Sequence, residues 1–503
     1  MSRFFLTTAI DYANGDPHLG HALEKIGADC IARYRRLRGD DVRFLMGMDE
    51  HGQKVAQAAE EAGMPPQTWV DTIAERFART WARLLCSNDD WIRTTEERHK
   101  RSVTRFIELI REHNPEDIYV GEYEGLYCVG CEEFKQESQI VDGRCVEHPS
   151  RDLERRRERN YFFRLSRWGP RVLDLIRSGE LTVDPAIRRN EVIRVLEDGL
   201  EDISISRVRF AWGIPFPGDT EHTVYVWFDA LINYLSATGF PGSGFDRLWP
   251  ADLHVIGKGI SRLHCALWPA MLLSAGLPVQ RKVWAHGYVQ WAGAKVSKSE
   301  GGAVSLDVAI DRHGPDALRY FLLREVGFEA DGNFTWERFD ERYVADLADG
   351  LGNLVSRSLA MVVKYRGGTI PAGEATTLDA AGLRVVAAYG AAMDRLDLRD
   401  GAEAAWELVA AANLYIQRTA PWTLAKEARD VELDQALATL ARTLWRLAVL
   451  VTPFIPGKAQ LIWAALGCGG DAAGARWTAL ETPPTPGQTV QPPGVLFPKP
   501  LPV

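Results

Sequence analysis

An apolar run from Arg3 to Ile10 breaks at a turn-rich stretch, Asp11 to Pro17, and helical spacing follows at once. Within Leu19 to Leu37, the residues Leu23, Ile26, Cys30 and Tyr34 fall on one stripe, the pattern of a helix with a single buried face. A second strand-like run, Val42 to Met48, and a second helical stretch, Gln53 to Ala62, repeat the sequence of events. Strand, helix, strand, helix leaves few ways to bury the apolar faces. The natural one is a parallel sheet whose crossover helices cover its surfaces.

Further helices are expected over Pro66 to Leu85 and Glu96 to Glu112. From about Ile118 the character changes. Aromatics, glycines and cysteines crowd Tyr119 to Cys145, which reads as a small β-rich insert. Strand patterns return at Thr223 to Phe228, Leu253 to Gly257 and Lys282 to Tyr288, with a helix over Ser261 to Ala275. Beyond Arg342 the chain turns helical. Val344, Leu347, Leu351, Leu354 and Met361 keep three-and-four spacing, as do Leu433, Leu437, Leu440, Leu444, Leu447 and Val451, which predicts a helix bundle. The proline-rich stretch Pro483 to Val503 is expected to lie as a tail over the surface.

The 503 residues are 46% hydrophobic and 25% charged, which excludes a disordered or collagen-like chain. The most apolar window, Leu263 to Leu273, is broken by His264 and Pro269 and falls short of a membrane span. The start at Met1 lacks signal-peptide architecture, so the expected location is the cytoplasm. A net charge of −9 weighs mildly against a generic nucleic-acid binder, although a basic patch can sit on an acidic protein.

Seven cysteines in such a chain read as reduced thiols with room for a metal site. Cys128 and Cys131 have a two-residue gap, and so do Cys145 and His148, with thirteen residues between the two pairs. Three thiolates and one imidazole make a tetrahedral zinc set. Four protein ligands leave no open position, so the zinc, one per chain, is expected to be structural. Cys30, Cys86, Cys265 and Cys468 lack such spacing and read as packing residues.

Two loops point to phosphate chemistry. The first, Asp16-Pro17-His18-Leu19-Gly20-His21, lies between strand and helix. It offers a helix N-terminus with two imidazoles on one side, and Gly20 allows close approach to the backbone. The second, Gly293 to Gly302, carries Lys295, Ser297, Lys298 and Ser299 between glycines, a cationic loop suited to phosphate. Alone, the first could be a histidine cap and the second a solvated surface loop.

In this order, on an α/β background, the loops resemble the HIGH and KMSKS motifs of class I aminoacyl-tRNA synthetases. They stand here as His18-Leu19-Gly20-His21 and Lys295-Val296-Ser297-Lys298-Ser299. Finer matches resemble the methionyl-tRNA synthetase family, of the bacterial type with a single zinc knuckle. They are Thr7 to Gly15, Met48 to Lys54, the cysteine cluster, Val226 to Leu231 with Tyr234, Gly257 to Ile260 with His264, Asn353 to Arg357 and Ala420 to Trp422.

The resemblance implies a Rossmann-like parallel-sheet catalytic domain, split by a zinc-binding connective insert and followed by an α-helical anticodon-binding bundle. The expected divisions are residues 1–115 and 223–290 for the catalytic halves and 116–222 for the insert. A lysine-loop and stem-contact linker takes 291–343, the bundle 344–482 and the tail 483–503. The activity implied is ATP-dependent activation of L-methionine, then transfer to initiator and elongator methionine tRNA, with Mg2+ accompanying ATP. His18, His21, Lys295 and Lys298 would be catalytic. Gly20, His286, Ser297 and Ser299 would join them around ATP. Ile10, Tyr12, Asp49, Trp227, Ala230, Leu231, Tyr234, Ile260 and His264 would hold methionine, Asp49 meeting the α-ammonium. Asn353, Arg357 and Trp422 would read the anticodon. Arg155 to Arg159 reads either as an acceptor-stem contact or as a solvated charge run.

Four positions depart from the family pattern. Val296 replaces a methionine, Met48 a threonine, Asp11 a proline, and Gly259 an aspartate beside the methionine pocket. The last leaves open a specialised paralogue that activates a methionine-like amino acid or confers inhibitor resistance. A catalytically weak tRNA-binding protein is the reading from a different class. The leucine, isoleucine and valine enzymes carry a large editing insert for which 503 residues leave little room. A monomer is expected.

Overall fold

The computed structural model describes residues 2–499, apart from 131–132, 136–138, 147, 209–211, 292–293, 296–304 and 485. At its centre is a seven-stranded sheet whose pairings are all parallel. The strands are β1 (Arg3–Thr8), β2 (Asp11–Tyr12), β3 (Asp41–Asp49), β4 (Asp90–Arg93), β5 (Thr182–Asp184), β6 (Leu253–Gly257) and β7 (Lys282–His286). They run in the order β5-β7-β6-β1-β3-β2, with β4 also paired to β3. The first helices are α1 (Leu19–Arg38), α2 (Gln53–Glu61), α3 (Pro66–Arg83) and α4 (Glu97–His113).

Alternate residues of the central strands feed two apolar layers, as the two-residue period of a strand requires. Phe4, Leu6, Phe44, Met46, Leu253 and Val255 belong to one; Phe5, Leu45 and Ile256 belong to the other. The first layer continues without a break into the helical part of the chain, where Leu437 and Leu444 join it. That part comprises α5 (Asn353–Arg366), α6 (Thr377–Asp394), α7 (Leu398–Thr419), α8 (Pro421–Lys426), α9 (Asp430–Val451) and α10 (Pro456–Ala465).

A fully buried ion pair pins the junction. Arg319 Nη2 donates to Asp29 Oδ2 of α1 at 2.7 Å, both side chains being wholly enclosed. The guanidinium also donates to the carbonyls of Leu84, Pro453 and Phe454. Asp29 accepts from Arg33 and from the backbone and hydroxyl of Ser87. Burial pushes the Asp29 carboxyl up, but Arg33 and Arg319 outweigh it and bring it down to about 2.

Several elements differ from the sequence expectation. The run Thr223 to Phe228 is not one strand: the strand Asp219–Val224 ends first, and Val226–Leu231 is helical. An apolar run this short has no period that separates a buried strand from a buried helix. The helix over Ser261 to Ala275 contains a wide π turn, Leu263–Leu267, ahead of Trp268–Ser274. Pro269 has no N–H to give to the carbonyl four residues back, so the preceding turn widens. The stretch 116–222 does contain an antiparallel hairpin, Ile118–Cys128 against Glu154–Phe163. It also holds the helices Leu165–Ser178 and Ala186–Glu197, and its β5 forms the edge of the main sheet beside β7. The proline-rich stretch is also pinned by side chains that composition does not single out. Val490, Leu496 and Phe497 are buried, and Val490 N donates to Gly368 O at 2.7 Å.

Replacing Asp29 with Ala strands a buried guanidinium and should cost about 3–5 kcal/mol of stability, read by urea unfolding. Because the folded carboxyl titrates low, its contribution is present above the ordinary carboxylate range and fades as pH falls toward about 2. Wild type should therefore lose stability on acidification more steeply than Asp29→Asn.

Candidate active site at the carboxyl edge of the sheet

The chain runs from β1 through α1 to β3 on one side, and β6 joins β1 on the other. The crevice beyond the carboxyl ends of β1 and β6 is thus a topological switch point, where open α/β sheets bind ligands. His18 caps α1 there. Its Nδ1 accepts from Gly20 N at 3.1 Å, and its own backbone N donates to His21 Nδ1 at 3.3 Å. The two rings stack at 3.8 Å with 19° between planes. A ring whose Nδ1 accepts carries its proton on Nε2. The turn therefore presents two N–H donors at a helix N-terminus, a setting that suits phosphate oxygens.

The second loop leaves the same edge. After β7 the strand Val289–Trp291 pairs with Ala294–Lys295, placing the Lys295 backbone opposite Gln290. Ser297, Lys298 and Ser299 lie outside the described residues. His286, the last residue of β7, meets Glu24 Oε2 at 3.2 Å and stacks on Phe328 at 5.5 Å.

Most of the apolar candidates share one side of the sheet. Ile10, Leu231, Tyr234 and Ile260 belong to one apolar cluster, and Ala230 is buried next to them in sequence. Tyr12 and Trp227 face each other at 6.5 Å. Asp49 is buried in register with Tyr12, and its carbonyl accepts from Ala13 N at 2.9 Å. Tyr234 Oη lies 2.7 Å from His264 Nε2, and His264 Nδ1 lies 3.1 Å from the Ile260 carbonyl. Burial pushes the His264 pKa down to about 4, so the ring is uncharged at neutral pH. Its Nδ1–H then donates to the carbonyl and its Nε2 accepts the Tyr234 hydroxyl. At Gly259, a Cβ would lie 2.2 Å from Tyr288 Oη. The phenol thus occupies the space into which a side chain at 259 would project, and Lys258 lies under its ring while pairing with Asp331.

A third group was not singled out from sequence. Asp229 is wholly buried between two imidazoles, with His51 Nδ1 at 2.7 Å and His99 Nε2 at 2.5 Å. Burial would raise its carboxyl, but the two histidines outweigh burial and hold it at about 2. The available signal was a carboxylate inside the apolar run Val226–Leu231. Nothing in the sequence pointed to His99.

Elsewhere, Cys128, Cys145 and His148 bring ligand atoms within 4.8 Å of one another, a group able to hold a metal ion. Both cysteines are buried, and a Cβ on Gly130 would lie 2.5 Å from the His148 ring, so that position keeps the imidazole's space open. Cys131 lies outside the described residues. In the bundle, Arg357 lies over the ring of Trp422 at 5.7 Å, and Trp422 is 44% exposed. Asn353 is exposed one helical turn before Arg357 on α5. In the hairpin, Arg155 and Arg157 pair with Glu124 and Glu122 on the facing strand, which favours a solvated charge run. No helix among the described residues is long and apolar enough to cross a membrane.

Comparison with known proteins agrees with this geometry. The family described as tRNA synthetases class I (M) matches residues 4–153 and 136–359. The anticodon binding domain of methionyl tRNA ligase matches residues 366–500, taking in the anchored tail. The methionine–tRNA ligase of Thermotoga maritima is 42% identical over 471 residues, 92% of this chain and 75% of the relative. That of Bacillus subtilis is 41% identical over 485 residues, 92% of this chain and 73% of the relative. Mycobacterium tuberculosis methionyl-tRNA synthetase in complex with methionyl-adenylate superposes with a TM-score of 0.94 at 39% identity, covering 99% of this chain and 100% of that one. Its apo form superposes at 0.88 and 36% identity, covering 100% and 99%. The chain belongs to the methionine–tRNA ligase family of class I tRNA synthetases.

Proposed function

We propose that the protein is a methionine–tRNA ligase, joining L-methionine to ATP as methionyl-adenylate and passing the methionyl group to the 3′ end of methionine tRNA. The observation that carries this reading is the full-length likeness to a solved structure holding methionyl-adenylate. In this reading the phosphate and amino-acid subsites adjoin at the switch point between β1 and β6.

In the first step a carboxylate oxygen of methionine bonds to the α-phosphorus of ATP, and the bond to the leaving pyrophosphate breaks. No covalent enzyme intermediate is needed, so the residues work by placing the reactants and stabilising charge. His18 and His21 meet the phosphate oxygens as they gain charge. Lys295 and Lys298 close over the same phosphates with Ser297 and Ser299, and Mg2+ accompanies ATP. Asp49 receives the α-ammonium. Tyr12, Trp227, Tyr234, Ile260 and His264 surround the thioether, whose soft sulfur packs well against aromatic rings. The uncharged state of His264 keeps a cation away from that apolar slot. In the second step the terminal ribose hydroxyl of the tRNA attacks the methionyl carbonyl and AMP leaves.

The other regions take their roles from the same reading. Residues 1–115 and 223–290 form the catalytic halves, 116–222 the insert, 291–343 the lysine-loop and stem-contact linker, and 344–482 the anticodon domain. The tail takes 483–503, and within it Val490 and Gln491 are hydrogen-bonded to that domain. Cys128, Cys131, Cys145 and His148 would hold one structural zinc ion, supported by three converging donors of suitable softness. Zinc there would tie down the turns at the tip of the insert. Asn353, Arg357 and Trp422 would read the anticodon, with the exposed indole as a stacking surface.

The test is charging of a methionine tRNA transcript by the purified protein. Charging is expected, and its absence with saturating methionine and ATP would overturn the reading. Trp422→Ala should raise KM for tRNA about tenfold, the scale of one lost stacking contact. Methionine-dependent pyrophosphate exchange should stay unchanged in that variant. Elemental analysis should find one zinc per chain, and Cys145→Ser should lower that content together with the melting temperature.

A further inference from the structure

Lys25 lies one turn beyond His21 on α1 and is fully buried. An ammonium has three donors. All are taken here: Nζ reaches the Ala9 carbonyl at 2.7 Å, Glu24 Oε1 at 2.7 Å and Asp11 Oδ1 at 2.9 Å. None is left for a substrate, so the lysine acts through its three acceptors.

Each acceptor sits at a point of consequence. Ala9 marks the kink between β1 and β2. Its N still donates to Val255 O of β6, and the register against β3 slips by one residue here, from Thr7 opposite Leu45 to Asp11 opposite Met48. Ile10 lies in that kink and Tyr12 just after it. Glu24 spans the other direction, from Lys25 to His286 Nε2, and His286 Nδ1 donates to the Gly287 carbonyl at 2.7 Å. One buried cation thus links the amino-acid wall on β1 and β2 to the end of β7.

We propose that Lys25 is a positioning residue for methionine activation. Through Ala9 and Asp11 it sets the kink that presents Ile10 and Tyr12 to the amino acid, and through Glu24 it sets His286 toward the nucleotide. This rests on the reaction and subsites proposed above. Burial works against the Lys25 charge, yet Asp11 and Glu24 outweigh it and hold its pKa above the ordinary lysine value. Burial likewise pushes Asp11 up to about 6 against the pull of the ammonium. Buried ion pairs seldom add net stability over apolar replacements, so a geometric role is the better account of such a cluster.

The test is the Lys25→Met/Asp11→Asn double variant, which removes both charges of the Lys25–Asp11 pair. Melting temperature is measured together with kcat and KM in methionine-dependent pyrophosphate exchange. Wild type must first support exchange; if it does not, the reading of the reaction fails, whatever Lys25 does. The expected result is a folded variant whose kcat/KM for methionine falls about tenfold, with most of the loss in KM. A merely structural lysine would change the amount of folded protein and leave KM alone. A folded variant with wild-type KM overturns the proposal. Should the double variant not fold, Asp11→Asn alone is read: it keeps an acceptor oxygen, and a raised methionine KM is expected. An unchanged KM there also overturns the proposal.

Discussion

The Asp29–Arg319 pair joins parts of the chain that lie 290 residues apart, and the geometry of the crevice depends on it. Asp29 is on α1, the same helix whose first turn carries His18 and His21. Arg319 belongs to the helix Pro315–Phe321, which follows the lysine loop, and it also donates to the carbonyls of Pro453 and Phe454 between α9 and α10 of the bundle. A charge removed from water must be compensated where it sits. The arginine therefore ties the histidine helix, the segment beyond the lysine loop and the bundle into one arrangement. Further contacts reinforce it, including Tyr34 Oη donating to Asp394 at 2.6 Å and Arg476 donating to the Arg36 carbonyl at 2.6 Å.

Around that joint the site is layered by polarity. The proposed phosphate side consists of a helix end and imidazole N–H donors. The proposed amino-acid side is mainly apolar, and its candidate histidine, His264, is kept uncharged by burial. Two networks of enclosed charge lie behind these surfaces: Lys25 with Asp11 and Glu24, and Asp229 with His51 and His99. Both networks include groups adjacent in sequence to candidate binding residues. This is how a fold holds a binding surface to sub-ångström tolerance without spending the surface residues' own hydrogen bonds.

Much of this was legible in the sequence because it rests on local spacing. The alternation of β1, α1, β3 and α2 follows from period, and the two-residue gaps around Cys128 and Cys145 bring those thiols near His148. What escaped depends on partners far along the chain. The helix Val226–Leu231 looked like a strand because its apolar run has no period to betray it, and Asp229 within it is explained only by His51 and His99. Lys25 is in the sequence only a charge within a helical stretch, and two of its three acceptors, the Ala9 carbonyl and Asp11, come from the segment between β1 and β2, which spacing does not show. The prolines of the tail are visible in the sequence, but the distant partners that bury Val490, Leu496 and Phe497 are not. Gly259 could be seen as a departure, but only the structure places the Tyr288 hydroxyl against it.

The central claim is that the crevice between β1 and β6 activates methionine. ATP–pyrophosphate exchange, measured with each standard amino acid in turn at saturating ATP and without tRNA, tests it most directly. Methionine is predicted to support exchange with the highest kcat/KM. No exchange with methionine, or faster exchange with another amino acid, would contradict it.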